Sequence, residues 1–228
     1  MGADGCELCE AGQVSFTGSS SCVASLAADH AWDFRGCDSS VPVVDATGLA
    51  ATLVNGAACT PSGVSFDGVD DYVDLDDWEW GGALTIEVYV KFESFDDWSR
   101  VLDFGDGNHV DSISIATRLD PFIIFAVGQN MTFVKVEESK WDLGAWTHVV
   151  ATVAGSSMKI YKNGALAGAQ EGGHEPLLLT RANHWLGREP SDYSFFEGSI
   201  GFLRMWHGVE LGPEDVGRLY DARDEGAA

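Results

Sequence analysis

The sequence predicts an all-β protein, an antiparallel β-sandwich with one short C-terminal helix, and three observations carry that reading. Apolar residues recur at a period of two: Leu84, Ile86, Val88, Val90 and Phe92 alternate with Thr85, Glu87, Tyr89 and Lys91, as in a half-buried strand. Turn residues are plentiful, with 27 Gly in 228 residues, and they cut the chain into short segments. Helix signal is confined to one place near the C-terminus, so the strand–helix alternation of a parallel α/β protein is missing.

The elements follow in order. Residues 1–25 are rich in Cys, Ser and Gly and lack a hydrophobic period, so they form a cysteine-rich stub set apart from residues 26–224. The period of two takes over from Asp29. Ile113 and Ile115 alternate with serines, and His148 to Val153 and Met158 to Tyr161 read as two strands joined through Gly155-Ser156-Ser157. Asn163-Gly164 supplies a type I′ hairpin turn, because both residues tolerate positive φ. Gly212-Pro213-Glu214-Asp215 before Val216, Leu219 and Tyr220 places Pro at the first helical position and acids in the first turn. Residues 225–228 are a tail.

Charge and cysteine usage bound the function. Thirteen Lys and Arg against 36 Asp and Glu give a net charge of −23, which repels nucleic acid and anionic lipid and attracts cations. No apolar run approaches the roughly 20 residues of a spanning helix, so membrane insertion is excluded as well. All five cysteines (Cys6, Cys9, Cys22, Cys37 and Cys59) lie in the first 59 residues. That front-loading points to disulfides in an oxidising compartment, with a zinc site as rival. No signal peptide precedes Cys6, and the chain reads as an excerpt of a longer secreted one. An Asn130-Met131-Thr132 sequon is present.

Several segments resemble, in order, the concanavalin A-like sandwich (a jelly roll) of laminin-G-like and pentraxin domains. They are Ala31-Trp32-Asp33-Phe34, Phe66 to Val73, Leu84 to Val90, Trp146 to Val149, Met158 to Gly164, Leu186-Gly187-Arg188 and Phe196 to Trp206. The stub, with Cys6-x2-Cys9 and Cys22, resembles one turn of an ephrin-receptor-like cysteine-rich repeat, which implies a Cys9–Cys22 pair and leaves Cys6 without a partner. Cys37 and Cys59 bracket the first long loop of the sandwich and are expected to pair. One departure stands out: Gly201 lies where many laminin-G-like relatives carry a calcium-binding Asp.

The resemblance implies a rim site for calcium between the Asp103–Asn108 segment and the Gly187–Asp192 loop. Its candidate ligands are Asp106, Asn108, Glu189 and Asp192, and the alternative is two ordinary polar turns. A second acidic group, Asp67, Asp70, Asp71, Asp74, Asp76 and Asp77, lacks the order of an EF-hand loop and reads as an exposed loop, with a nearby cation as the alternative. Trp78, Trp98, Tyr193 and His184 are candidates for ligand contact, since aromatics beside carboxylates suit sugar stacking. His148 reads as structural. Asp74-Leu75-Asp76-Asp77-Trp78-Glu79 imitates the acid motif of sandwich-fold glucanases, yet it runs off a strand end, so no catalytic residue is assigned. The functional expectation is an extracellular or cell-surface module that recognises a glycan or an extracellular protein, assisted by calcium, as in adhesion. A non-binding spacer and a glycoside hydrolase are the alternatives.

Overall fold

This computed structural model describes residues 26–224 apart from 108–110, 130–131 and 192, together with two short strands at 13–14 and 23–24. The first strands in chain order are β1 (Gln13–Val14), β2 (Val23–Ala24), β3 (His30–Asp33), β4 (Val43–Val44), β5 (Ala50–Val54), β6 (Ala58–Thr60) and β7 (Gly63–Asp67). Next come β8 (Tyr72–Leu75), β9 (Glu79–Trp80), β10 (Leu84–Phe92), β11 (Arg100–Gly105), β12 (Ile113–Ala116), β13 (Ile124–Gln129) and β14 (Thr132–Val136). The last are β15 (Trp146–Ala154), β16 (Ser157–Lys162), β17 (Ala165–Gln170), β18 (Leu179–Thr180), β19 (Asn183–Leu186) and β20 (Glu197–His207), followed by helix α1 (Pro213–Ala222).

Two eight-stranded antiparallel sheets form the sandwich. The first has the order β17-β16-β15-β10-β20-β7-β6, with β3 also pairing β20; the second runs β14-β13-β12-β11-β19-β8-β5-β4. Alternating residues of both sheets meet in one core: Ile86, Val88 and Val90 from the first sheet, Leu102, Phe104, Ile113, Ile115 and Leu186 from the second. The expected alternation in β10 therefore holds, but its other face is largely covered, with Thr85 and Glu87 buried and Tyr89 and Lys91 half-buried. Glu87 is fully buried, accepts from His148 Nε2 at 2.8 Å and pairs with Arg204 Nη1 at 3.2 Å. His148 is accordingly structural, and its ring also lies beside Tyr220 of α1, 5.6 Å between centroids.

Helix α1 packs Val216 and Leu219 with Val150, Tyr161 and Trp206 of the first sheet. Gly212 is its N-cap and Pro213 fills the first turn together with Glu214 and Asp215, as the sequence predicts. The Asn163-Gly164 turn is likewise observed, with φ of 50° and 79°. Cys37 and Cys59 form the expected disulfide, Cα atoms 5.4 Å apart. In the stub, β1 pairs antiparallel with β2. Cys6, Cys9 and Cys22 lie outside the described residues, as do Asn130 and Met131 of the sequon and the tail.

Gly201 has a local explanation. As β10 steps from Tyr89 to Val90, its partners in β20 jump from Phe202 to Ile200, so Gly201 is the extra residue of a β-bulge. A Cβ there would press on Tyr89 and Trp146, 3.2 and 3.4 Å away, whose rings stack at 4.8 Å.

Candidate functional site

The second sheet has an outer face as well as a core face, and register defines it. Asp103 on β11 lies between core residues Leu102 and Phe104, so its side chain projects away from the core. Its cross-strand partners are Ser114 on β12 and Trp185 on β19. The row continues through Asp74 on β8 to Thr52 on β5, and through Ala126 on β13 in the other direction. Arg188 extends over both Trp185 and Tyr72, 4.3 and 4.4 Å from the ring centroids.

Two loops fold onto this face. The turn before β11 carries Asp97, Trp98 and Ser99; the segment after β19 carries Glu189, Ser191 and Tyr193. Side-chain bonds to backbone carbonyls join them, Ser194 Oγ donating to Asp97 O at 2.5 Å and Ser99 Oγ to Phe195 O at 3.2 Å. Gly187 starts the second loop at φ 91°, and a Cβ there would strike Phe66 at 2.7 Å. Trp98 adopts φ 62°, a left-handed conformation that a bulky side chain rarely takes. Its half-buried ring packs on Ala116, Ile124 and Ala126, with the Arg100 and Arg118 guanidinium carbons 5.2 and 5.1 Å from its centroid. Tyr193 is 89% exposed.

Beneath the loops lies a charged cluster. Arg100 Nε donates to Asp103 Oδ2 at 3.2 Å, and its Nη2 is 3.9 Å from Glu189 Oε2. The three residues are only 4%, 1% and 6% exposed. Burial raises the Asp103 carboxyl to about 7, against the pull of Arg100 and with the push of Glu189. Two polar atoms of the cluster, Arg100 Nη1 and Asp103 Oδ1, are buried without a hydrogen-bond partner. Glu189 Oε1, by contrast, accepts from Ser191 Oγ at 2.7 Å and from Tyr193 N at 3.3 Å.

The structure brings together only part of the residue set expected from sequence. Trp98, Tyr193 and Glu189 share the outer face described above. Asp106 does not join them: it accepts from Ala182 N at 2.9 Å, beyond the far end of β11, whereas Glu189 faces Arg100 at the near end. Asp106 follows the last residue of β11, and its carboxylate is turned to the Ala182 backbone and not toward the Arg100–Asp103–Glu189 group. Asn108 and Asp192 lie outside the described residues. Asp106 and Glu189 thus do not fit one calcium shell, whose ligands sit at about 2.3–2.6 Å from the ion. The reason is that Asp103, Phe104 and Gly105 continue β11 instead of opening the loop.

Trp78 and His184 are interior residues, a correction to their expected place at a ligand surface. Trp78 is 8% exposed and stacks on His184 at 4.1 Å, and Trp80 Nε1 donates to His184 Nε2 at 2.8 Å. That bond leaves the ring proton on Nδ1, facing Asp77 Oδ1 at 3.3 Å. Burial holds the imidazole down at about 3, so it is neutral at ordinary pH. Nearby, Arg181 is fully buried and donates to three backbone carbonyls, of Asp111, Trp80 and Leu177, with its guanidinium 3.9 Å from the Trp80 ring.

Among the described residues, one group of three acids draws its oxygens close enough for a metal: Asp67, Asp70 and Asp71. Both oxygens of buried Asp71 already accept backbone amides, from Gly56 at 2.6 Å and Asp67 at 3.0 Å, so the group organises its own loop. The glucanase-like run leaves the sheet after Leu75. Asp74 projects beside Trp185, Asp76 Oδ2 accepts from Ala50 N at 2.8 Å, and Asp77 turns to His184. These acids do not share one strand face as that chemistry needs. Arg100, Asp103 and Arg118 were not singled out by sequence, although a carboxylate alternating outward between Leu102 and Phe104 is a readable signal.

Residues 67–217 match the family model described as the concanavalin A-like lectin/glucanases superfamily. No curated protein matches the chain. Domain 4 of AbnA, a GH43 extracellular arabinanase from Geobacillus stearothermophilus in complex with arabinotriose, superposes with a TM-score of 0.69. The identity is 20%, and 85% of this chain and 98% of that domain are covered. Trypanosoma rangeli sialidase gives a TM-score of 0.67 at 16% identity over 93% of this chain, which spans 35% of the sialidase. A SAP-like pentraxin from Limulus polyphemus gives 0.54 at 16% identity, covering 68% of this chain and 80% of the pentraxin. At these identities the likenesses concern the fold. The ordered sandwich and a family match over most of its length lead to one assignment: the chain belongs to the concanavalin A-like lectin/glucanase superfamily.

Proposed function

We propose that this chain is a carbohydrate-binding module of an extracellular or cell-surface protein, and that it takes its glycan on the outer face of the second sheet. The observation that carries the reading is the pairing of Trp98 and exposed Tyr193 on two linked loops above the Arg100–Asp103–Glu189 cluster. Aromatic faces stack on the apolar faces of sugars, while a few convergent polar groups fix their hydroxyls. The arabinanase domain, which shares this architecture and was solved with arabinotriose, supports a glycan as the ligand class. The step proposed here uses no calcium ligand.

Calorimetric titration with the neutral trisaccharides arabinotriose, cellotriose and laminaritriose tests the reading. At least one should bind, and Trp98→Ala and Tyr193→Ala should each weaken it about tenfold or more, the loss of one stacking contact of ~1.4 kcal/mol. Leu166→Ala, an exposed residue on β17, should leave affinity unchanged. Added EDTA should leave it unchanged too. Absence of binding to every probe would favour the spacer alternative.

A hydrolase has one observation in its favour: Asp103 and Glu189 approach one guanidinium, and Asp103 is held near 7 as a general acid requires. Against it, Glu189 is committed to Ser191 and Tyr193. Release of reducing sugar from arabinan, lost in Asp103→Asn, would establish the enzyme and displace the module.

A further inference from the structure

We propose that the ligand of this face is a neutral glycan that offers two adjacent hydroxyls to Arg100 Nη1 and Asp103 Oδ1, reached when the Trp98 turn moves aside. The proposal rests on the glycan reading above and names the ligand chemistry of that same site.

The two atoms are the starting point. Arg100 Nη1 donates only, ionised Asp103 Oδ1 accepts only, and both are buried without a partner on residues at least nine-tenths buried. Native structures rarely leave buried polar atoms unpaired, so such a pair marks a position that something else fills. A sugar diol matches it: one hydroxyl accepts from the guanidinium and its neighbour donates to the carboxylate. Because burial holds Asp103 near 7, the carboxyl is met in both protonation states around neutral pH, and a hydroxyl partners either one.

The charge around the site selects against ionic ligands. On this face Asp74, Asp97, Asp103 and Glu189 stand against Arg100, Arg118 and Arg188, so the carboxylates outnumber the guanidiniums, on a chain of net charge −23. A uronate or sialate would satisfy Arg100 but face those carboxylates in a desolvated setting. An ammonium group would meet Arg100.

The Trp98 turn is the way in. Its ring lies over Arg100 and against small side chains, Ala116 and Ala126, beside Ile124. The turn belongs to no sheet ladder. Its ties include the Ser99–Asp96 backbone bond at 3.2 Å, the bond from Thr117 N to Ser99 O at 2.9 Å, the Ser99–Phe195 and Ser194–Asp97 bonds, and the exposed Arg118–Asp97 pair at 3.4 Å. The left-handed backbone of Trp98 means that the closed position is strained, which lowers the cost of leaving it. Once displaced, the indole can stack on the sugar that replaces it.

The test titrates the whole chain with arabinotriose, cellotriose and laminaritriose, and with trigalacturonic acid and sialyllactose as acidic probes. The expected result is binding of a neutral probe, with the acidic probes at least tenfold weaker. Asp103→Asn should lower the neutral probe's affinity tenfold or more, and O-methylation of the probe's adjacent hydroxyls should abolish binding to the wild-type chain. The methylated probe needs no variant, so it decides the matter even if Asp103→Asn fails to fold. If Tyr193→Ala weakens binding while Asp103→Asn and O-methylation do not, the diol subsite is wrong and the glycan reading stands. Tighter binding of an acidic probe overturns the neutral class. If no probe binds, both readings fall.

Discussion

Asp103 on β11 pairs with Trp185 on β19, the residue after His184, and the Asp103 and His184 side chains push stability in opposite directions with pH. The Asp103 carboxyl rises from 3.8 to about 7 on folding, so the folded chain keeps a proton that the unfolded chain has released. Its contribution is complete below about pH 4 and is lost as pH rises through 7. His184 falls from 6.5 to about 3, so the unfolded chain binds its proton first and stability drops as pH falls below 6.5. Removing Asp103's titration isolates one of these. Between pH 5 and pH 8 the wild type should lose roughly 2–3 kcal/mol that Asp103→Asn keeps, at about 1.4 kcal/mol per pH unit within the window. Urea unfolding of both proteins at the two pH values measures it. Identical pH dependence would mean that Arg100 holds the carboxylate ionised throughout.

At the scale of elements, loops are positioned by buried side chains that act on backbone. Arg181 is the strongest case: its guanidinium ties the segment before β18, the β9 strand and the start of the β12 approach through three carbonyls. Arg181→Met keeps much of the volume yet leaves those carbonyls unpaired, and should cost about 3 kcal/mol or more at ~1–3 kcal/mol for each buried unsatisfied group. Thermal unfolding monitored by circular dichroism checks it; a loss below 1 kcal/mol would show the carbonyls finding water. The strands, the Asn163-Gly164 turn and the α1 cap were legible in the sequence because each depends on local period or local backbone chemistry. Glycan-face residues were legible only in part. Trp98, Tyr193 and Glu189 stand out as aromatic or acidic residues in loops, but Arg100 and Asp103 lie within an apolar strand. Trp78 and His184 mislead for the opposite reason: their polar neighbours suggest a surface, while the segments Trp78–Trp80 and Arg181–His184, far apart in the chain, pack on each other and bury both. Asp106 and Glu189 were grouped by loop order, which does not reveal that β11 extends through Gly105 and holds them apart.

On the scale of the whole molecule, the two outer faces of the sandwich have different fates. The first sheet buries part of its outer face under α1, over the Glu87–His148–Arg204 network. The second sheet leaves its outer face to two loops, one strained tryptophan and an incompletely bonded charge cluster. The Cys37–Cys59 bond braces the remote first loop. With 22 residues of separation, it should add about 3 kcal/mol in the chain-entropy model, read as the stability lost in a Cys37→Ser and Cys59→Ser double variant with glycan affinity unchanged. Division of labour between the faces is the central claim, and hydrogen–deuterium exchange with and without the neutral trisaccharide that binds tests it most directly. Exchange should change in residues 96–100 and 188–195, on the second sheet's loops, and stay constant across β15, β16 and α1. A footprint on the first sheet, or around Trp78 and His184, would contradict it.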